Sequence, residues 1–286
     1  MTESKRHSAV VDNPWQLLRK FTPGRIALGR TGISLPTQQQ LAFQLDHARA
    51  RDAVHHDLNA DVLSASVNDL NLFQPCIVVE SAAEGRAMYL QRPDLGRRLS
   101  ARSKLLLQSC AEGYRSASYD LSFVIADGLS ALAIESNAVT FLQATQKHLM
   151  KQALRCAPPV IVRQGRVAIG DEIGELMAAK VVVVMIGERP GLSSPDSMGL
   201  YMTWAPRIGL TDERRNCISN IRPAGLPHEE AADKLYYLVS EALSRCLSGV
   251  QLKDETAGSP LEGRLNNHDG RSWLVTGSAL SLHKPN

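Results

Sequence analysis

The sequence predicts an α/β fold built on a doubly wound, mostly parallel sheet, and three observations predict it. Val181-Val182-Val183-Val184-Met185-Ile186 is a continuous apolar run without alternation, the pattern of a strand covered on both faces. Ser122–Ala126 reads as a strand that ends in Asp127-Gly128-Leu129-Ser130 and gives way to a long helical stretch, Ala131–Arg155, which is half of a βαβ unit. Strand and helix patterns then alternate from 121 to 250, as they do in Rossmann-like sheets. In such sheets ligands bind beyond the carboxyl ends of the strands. Gly187-Glu188-Arg189-Pro190-Gly191, which follows the valine run, is therefore the first candidate loop. An ordinary strand exit with a solvated Glu188–Arg189 pair is the plain alternative.

Taken in order, residues 1–37 form an N-terminal extension broken by Pro14, Pro23 and Pro36 and by Gly24, Gly29 and Gly32, with a short helix at Trp15–Phe21. Arg25 and Arg30 stand among these glycines, either as a solvated arm or as a docking point. The stretch 38–110 is a helical N-terminal region. Leu41, Phe43, Leu45, Ala48, Ala50 and Val54 give Gln38–His56 a helical spacing, and a second or broken helix covers Asp57–Leu70. Cys76–Glu80 is a short strand. Pro93 is placed to open a helix with Asp94 at its favourable end, which puts Arg97, Arg98 and Arg102 on the first turns, where they suit an anion or carboxylates of a partner. The domain at 111–250 continues with a strand at Pro159–Val162, a short helix at Asp171–Ala179, a strand at Leu200–Trp204, an irregular loop at Cys217–Pro223 and a final amphipathic helix at Pro227–Leu247. Right-handed crossovers place the loops 127–130, 187–191 and 205–209 along one sheet edge. Asp127, at a strand's carboxyl end, is suited to catalysis, to ribose binding or to capping the next helix. Residues 251–286 are turn-rich without a periodic apolar face, and are expected to form a mobile tail with one short ordered piece at Trp273–Val275.

The bulk numbers narrow the class. A chain of 286 residues with 44% hydrophobic and 21% charged residues has material for a real core. A net charge of +3 is too small to argue for nucleic acid. No run approaches the ~18 apolar residues of a membrane span, and the polar start Met1–His7 does not read as a secretory signal. Cys76, Cys110, Cys156, Cys217 and Cys246 are odd in number and scattered, which suits reduced thiols in a cytoplasm. The sequence contains no G-x-G-x-x-G, no Walker A loop, no H-E-x-x-H and no G-x-S-x-G. None of the eight histidines has a metal-ligand spacing. The expectation is an α/β subunit without a catalytic group or metal of its own.

Four segments together resemble one family: Leu90-Gln-Arg-Pro-Asp-Leu-Gly-Arg-Arg-Leu99, Val124-Ile-Ala-Asp-Gly-Leu-Ser130, Val181–Gly191 and Cys217-Ile-Ser-Asn-Ile221. With Gly165-Arg166-Val167 and Asp171-Glu-Ile-Gly-Glu175 between them, the chain from Thr22 to Leu247 is similar to the small (light) subunit of ethanolamine ammonia-lyase. The resemblance implies an adenosylcobalamin-dependent enzyme that converts ethanolamine to acetaldehyde and ammonia by radical chemistry. It implies a hetero-oligomer with a large subunit, the cofactor lying at each large–small interface and ethanolamine held by the large subunit. The 111–250 domain is then the cobalamin-contacting one, closing over the corrin, and no catalytic residue is expected here. The Asp-x-His-x-x-Gly loop that gives cobalt a histidine in many cobalamin proteins is missing, which agrees with a cofactor that keeps its own benzimidazole on cobalt.

Carried over by motif, the implied cofactor contacts are Val167, Glu188 and Cys217. Glu188 would accept hydrogen bonds from corrin amides or nucleotide-loop hydroxyls. Val167 would pair through its backbone and pack on the ring, and Cys217 would pack close as a small, soft group. Asp127, Arg97 and Arg98 are left as structural or subunit-interface residues. Some family members carry a longer amphipathic N-terminal segment for entry into a protein-shelled microcompartment. The stretch before Thr22 is a poor stand-in for it, so free cytoplasmic enzyme is the expectation. The reading that competes is a free-standing Rossmann-like binding protein or transferase, with Asp127 and Glu188 as acid and base.

Overall fold

The structure, a computed structural model, describes residues 9–114 and 119–253. Six strands form one sheet: β1 Ile77–Glu80, β2 Tyr119–Ala126, β3 Val160–Arg163, β4 Ala179–Gly187, β5 Met198–Trp204 and β6 Arg215–Ile221. Their order is β1-β3-β2-β4-β5-β6. The first four run parallel, and β5 and β6 extend the sheet antiparallel. Seven α-helices accompany them among the described residues: α1 Thr37–His55, α2 Ala60–Asn68, α3 Arg86–Gln91, α4 Ala101–Tyr114, α5 Ala131–Gln152, α6 Ile169–Leu176 and α7 His228–Arg245. The expected mostly parallel α/β sheet is therefore present.

The valine run explains how the layers assemble. Val181, Val183 and Met185 pack into a core with Phe123, Ile125 and residues of α2, α5 and α7. Val182, Val184 and Ile186 face the other way, into a second core with Val124, Val162 and residues of α6. Only Lys180 of β4 is exposed. Helices α5 and α6 follow β2 and β3 onto opposite faces, so both faces must be apolar and no alternation survives. Ser130 caps α5 by accepting the Ala133 N–H at 3.2 Å. On α6, Ile169 and Ile173 are buried, and Gly170 and Gly174 let its backbone approach the sheet. A Cβ at 170 would sit 2.2 Å from Val184 Cγ2.

The β5–β6 hairpin is covered on one side only. Leu200, Met202, Ile218 and Ile221 pack against Leu235 and Val239 of α7. On the other side Cys217 and Ser219 are exposed, because α6 packs on β4 and β2 and meets the hairpin only at its Arg215 end. This leaves an open shelf beside α6.

Several local expectations are corrected. Residues 217–221, expected as an irregular loop, belong to β6. Polar residues on its open side and a register shift near Met198 and Leu200 hide the alternation. Because β5 runs antiparallel, the loop after it lies at the opposite edge from 127–130 and 187–191, and Ala205 N–H donates to Lys180 O at 2.8 Å. No helix opens at Pro93. Helix α3 ends at Gln91, a single 3-10 turn follows at Leu95–Arg97, and α4 begins only at Ala101. Ser100 is the stronger cap, its Oγ accepting the Ser103 N–H at 3.1 Å. Arg97 and Arg98 therefore precede the helix, and only Arg102 lies in its first turn. Residues Pro14–Lys20 form a 3-10 helix in place of the expected short helix at Trp15–Phe21, and Arg25 of the arm pairs with Asp46 of α1 at 2.5 Å. The piece at Trp273–Val275 lies outside the described residues.

Candidate functional site

Glu188 is the first residue beyond β4, and its side chain folds back over the hairpin. Its N–H donates to Ser197 O at 2.9 Å. Its Oε2 accepts the Ser197 hydroxyl at 2.5 Å and the Asn220 N–H at 3.2 Å. Gly199 makes room for it, since a Cβ there would lie 2.8 Å from Oε1. Among the described residues no donor reaches Oε1.

Cys217 of β6 stands opposite Tyr201 of β5. The two residues are direct cross-strand neighbours. Burial pushes the Tyr201 hydroxyl up to about 12, helped by Cys217 and by the charge of Glu188. Burial also raises the Cys217 thiol, and the Glu188 charge adds to this while Tyr201 opposes it. Near neutral pH both groups keep their protons, so the shelf carries a neutral phenol and a neutral thiol beside one carboxylate. Tyr201 was not singled out from sequence. The signal that finds it is its pairing with Cys217, which needs the antiparallel register.

Val167 lies between β3 and α6. It lines a trough of about 970 Å³ that runs past Tyr201 and the segment 97–104. The sequence-derived residues therefore lie around Tyr201: Cys217 is its cross-strand neighbour, Glu188 is near enough for its charge to be felt, and Val167 shares the trough. The far end of the trough is tied by Arg215. Its guanidinium grips Asp171 of α6 with Nη1–Oδ1 at 2.6 Å and Nη2–Oδ2 at 2.7 Å, and Nη1 reaches Thr203 Oγ1 at 3.1 Å.

Asp127 takes the structural role among those open to it, and is neither an exposed acid nor the cap of the next helix. It is 1% exposed. Its Oδ2 accepts the Gln164 N–H at 2.8 Å and its Oδ1 the Gly165 N–H at 2.9 Å. Arg86 Nη1 lies 3.8 Å away. Tyr89 completes the anchor, donating its hydroxyl to Gly165 O at 3.2 Å beneath the guanidiniums of Arg86 and Arg166 at 4.9 and 4.3 Å. The crevice between β2 and β3 is thus filled by the chain itself, and what is held there is the loop that leads to Val167. Sequence spacing did not show this, because Arg86 and Tyr89 lie 42 to 78 residues along the chain from the groups they hold.

Burial pushes the Asp127 carboxyl up to about 6, against the opposing pull of its backbone donors and Arg86. A raised folded value adds stability that is full below the ordinary carboxylate range and is lost as pH rises through about 6. The stability difference between wild type and Asp127→Asn should therefore widen in favour of wild type as pH falls from about 7 to about 4, by up to about 3 kcal/mol. Denaturant midpoints at a series of pH values test this. A constant or narrowing difference would contradict it.

Among the described residues no helix is long and apolar enough to cross a membrane, and no group of three or more His, Cys, Asp or Glu side chains is placed to hold a metal ion. The architecture is that of an α/β subunit with an open shelf at its sheet edge, its one deeply buried carboxylate at a strand end committed to holding a loop.

Comparison with known proteins gives the particular family. Residues 12–253 match the model of the ethanolamine ammonia-lyase light chain (EutC). The chain is 52% identical over 263 residues to the ethanolamine ammonia-lyase small subunit of Pseudomonas aeruginosa strain UCBPP-PA14, covering 92% of this chain and 95% of that protein. It is 54% identical over 263 residues to that of Pseudomonas fluorescens Pf0-1, with the same coverage. It is 51% identical over 260 residues to that of Ralstonia nicotianae GMI1000, covering 91% and 95%. The chain belongs to the ethanolamine ammonia-lyase light-chain family: it is the small-subunit component of a carbon–nitrogen lyase, and its partner is a large subunit.

Proposed function

We propose that this chain holds adenosylcobalamin against the large subunit, with the cofactor resting on the open shelf and contacting Val167, Glu188 and Cys217. The observation that carries the reading is the placement of Glu188, Cys217 and Tyr201 on the part of the hairpin that α6 leaves open, beside the trough lined by Val167. The residues fit such a group. Glu188 Oε1 is an acceptor with no donor among the described residues, suited to amide or hydroxyl donors. Tyr201 and Cys217 offer a flat, neutral surface. Arg166 at the trough holds a buried Nε without a partner, an orphan donor of the kind a bound group would satisfy.

In this reading the 111–250 portion is a Rossmann-like cofactor-contacting domain, and 38–110 lends the segment that anchors the Val167 loop. The bound cofactor supplies a radical by cobalt–carbon homolysis, with which ethanolamine is deaminated to acetaldehyde and ammonia. This chain orients that group, excludes water from one side and accepts its hydrogen bonds. Ethanolamine is held by the large subunit, so no residue here touches substrate. The exposed apolar side chains Trp15, Phe21, Ile33 and Leu41 suit a chain that works only in an assembly. The competing reading needs Asp127 as an exposed acid or base. Its burial and the engagement of both its oxygens speak against that.

The test is ammonia release from ethanolamine by this chain co-expressed with its large subunit. Release should require both chains and adenosylcobalamin. Glu188→Ala should raise the cofactor concentration needed for half-maximal rate by about tenfold or more and leave the rate at saturation close to wild type. An assembled complex that releases no ammonia, or an unchanged cofactor requirement in the variant, would count against the reading.

A further inference from the structure

The trough beside α6 carries more positive charge than its own carboxylates can answer. Five cationic and three carboxylate side chains line it. Each carboxylate is already engaged: Asp171 and Asp212 by Arg215, and Glu172 by Lys104 at 3.1 Å. Asp94, the acid closest in sequence to Arg97, is taken by Arg92 at 2.7 Å. Arg97, Arg98 and Arg166 remain, and among the described residues none of them forms an ion pair.

These three are held together by the backbone. Arg166 N–H donates to Gly96 O at 2.8 Å, which joins the loop before α6 to the turn that bears Arg97. Leu99 N–H donates to the buried Glu172 carboxylate at 2.9 Å and fixes the segment just beyond Arg98. Gly96 itself is pressed against Tyr89 and Arg166, since a Cβ there would meet the Arg166 Cγ at 2.8 Å. The Arg166 guanidinium is immobilised on the Tyr89 ring and donates from Nη2 to Tyr89 O at 3.2 Å. Its Nε is buried with no acceptor. A buried donor left in this state costs free energy that an incoming acceptor recovers. Guanidinium forks match the oxygens of a phosphate in both spacing and charge.

We propose that Arg97, Arg98 and Arg166 form a phosphodiester site at the end of the trough next to Val167, and that the anion it takes is the phosphodiester of the cofactor's nucleotide loop. This rests on the cofactor reading above and adds to it the group recognised. Cobalamin carries a single such anion, joined to the corrin by a short linker. The Val167–Tyr201 shelf and the arginine site line one continuous trough, so one molecule can engage both.

The experiment measures equilibrium binding of cyanocobalamin and of cobinamide, which lacks the nucleotide loop and its phosphate, to the co-expressed two-subunit complex. Wild type is compared with Arg97→Gln/Arg98→Gln, two exposed positions whose loss leaves the core intact, and with Arg166→Lys. Cyanocobalamin should bind the double variant about ten- to hundredfold more weakly, while cobinamide binds both proteins alike. Inorganic phosphate should compete with cyanocobalamin on wild type and lose that effect on the variant. Equal losses for both ligands, or no loss for either, would overturn the proposal. So would phosphate binding at these arginines with an unchanged cyanocobalamin affinity, since that would make the site one for a free anion. If the variant weakens subunit assembly and leaves the ratio of the two corrinoid affinities unchanged, the arginines pair with carboxylates of the large subunit and the proposal fails. A wild-type complex that binds no cyanocobalamin would remove the cofactor reading itself. One that binds it with no preference lost in the variant removes only the arginine site.

Discussion

Arg215→Ala should destabilise the chain by about 3–5 kcal/mol, the range for breaking one side of a buried ion pair. The pair with Asp171 is bidentate, and the two side chains are 2% and 3% exposed. Arginine here does more than neutralise a charge. Its Nη2 also donates to Leu210 O at 3.2 Å, and its Nε to Asp212 at 3.0 Å. Removing it leaves Asp171 charged inside the protein with no counter-ion, and the acceptors at Thr203 and Leu210 without their donor. The loss has a structural direction. Arg215 opens β6 and Asp171 sits in α6, so the pair fixes the hairpin that bears Cys217 relative to the helix that follows Val167. Denaturant unfolding of the variant measures the stability term. The double variant Arg215→Met/Asp171→Leu is the control, because replacing both partners with apolar groups of similar volume removes the uncompensated charge. It should recover most of the loss. A single variant within about 1 kcal/mol of wild type would show that the pair contributes little beyond its own desolvation.

This pair also shows where the sequence stopped speaking. Asp171 lies in one of the blocks that carried the family resemblance, but its partner is 44 residues away, and nothing local announces the contact. The elements that depend on local pattern were legible. The valine run, the Asp127–Ser130 turn and the helix after it all follow from periodicity and punctuation, and their bounds in the structure differ from expectation by a few residues. The parts that depend on how elements meet were not. Strand β6 is apolar on one face only, and a register shift breaks its alternation, so it reads as a loop until β5 is placed against it. Asp127 looked like a site residue because strand ends are where sites lie. Burial and two backbone donors make it an anchor instead. Glu188 was flagged twice, by its place at a strand's carboxyl end and by the resemblance, whereas Val167 and Cys217 came from the resemblance alone, and Tyr201, the cross-strand neighbour of Cys217, became visible only through the antiparallel pairing.

Gly187→Ala should be at least as damaging, with a loss of about 3 kcal/mol or more, at the upper end of overpacking effects. A Cβ at this position would sit 2.0 Å from Ser130 O and 2.6 Å from Asp127 O. Both are backbone atoms, so no side chain can rotate to relieve the clash. The opposing turn is equally constrained. Gly128 has φ +58 and a Cβ there would meet Gly187 O at 2.2 Å, and Leu129 N–H donates to that same oxygen at 2.9 Å. The end of β4 and the turn after β2 are therefore interlocked through their main chains, and neither glycine can yield to the other. Gly85→Ala is the matching control: its backbone is extended and nothing lies within 4 Å of the added carbon, so it should change stability by less than about 1 kcal/mol. The functional consequence follows from chain order. Glu188 is the next residue, and its carboxylate reaches Ser197 and Asn220 only if β4 ends where it does. In the assembled complex Gly187→Ala should weaken cofactor binding at least as much as Glu188→Ala does, although it removes no contacting side chain. If thermal unfolding instead shows Gly187→Ala as stable as Gly85→Ala, the two loops are not interlocked as described, and the position of Glu188 must be set from the hairpin side alone.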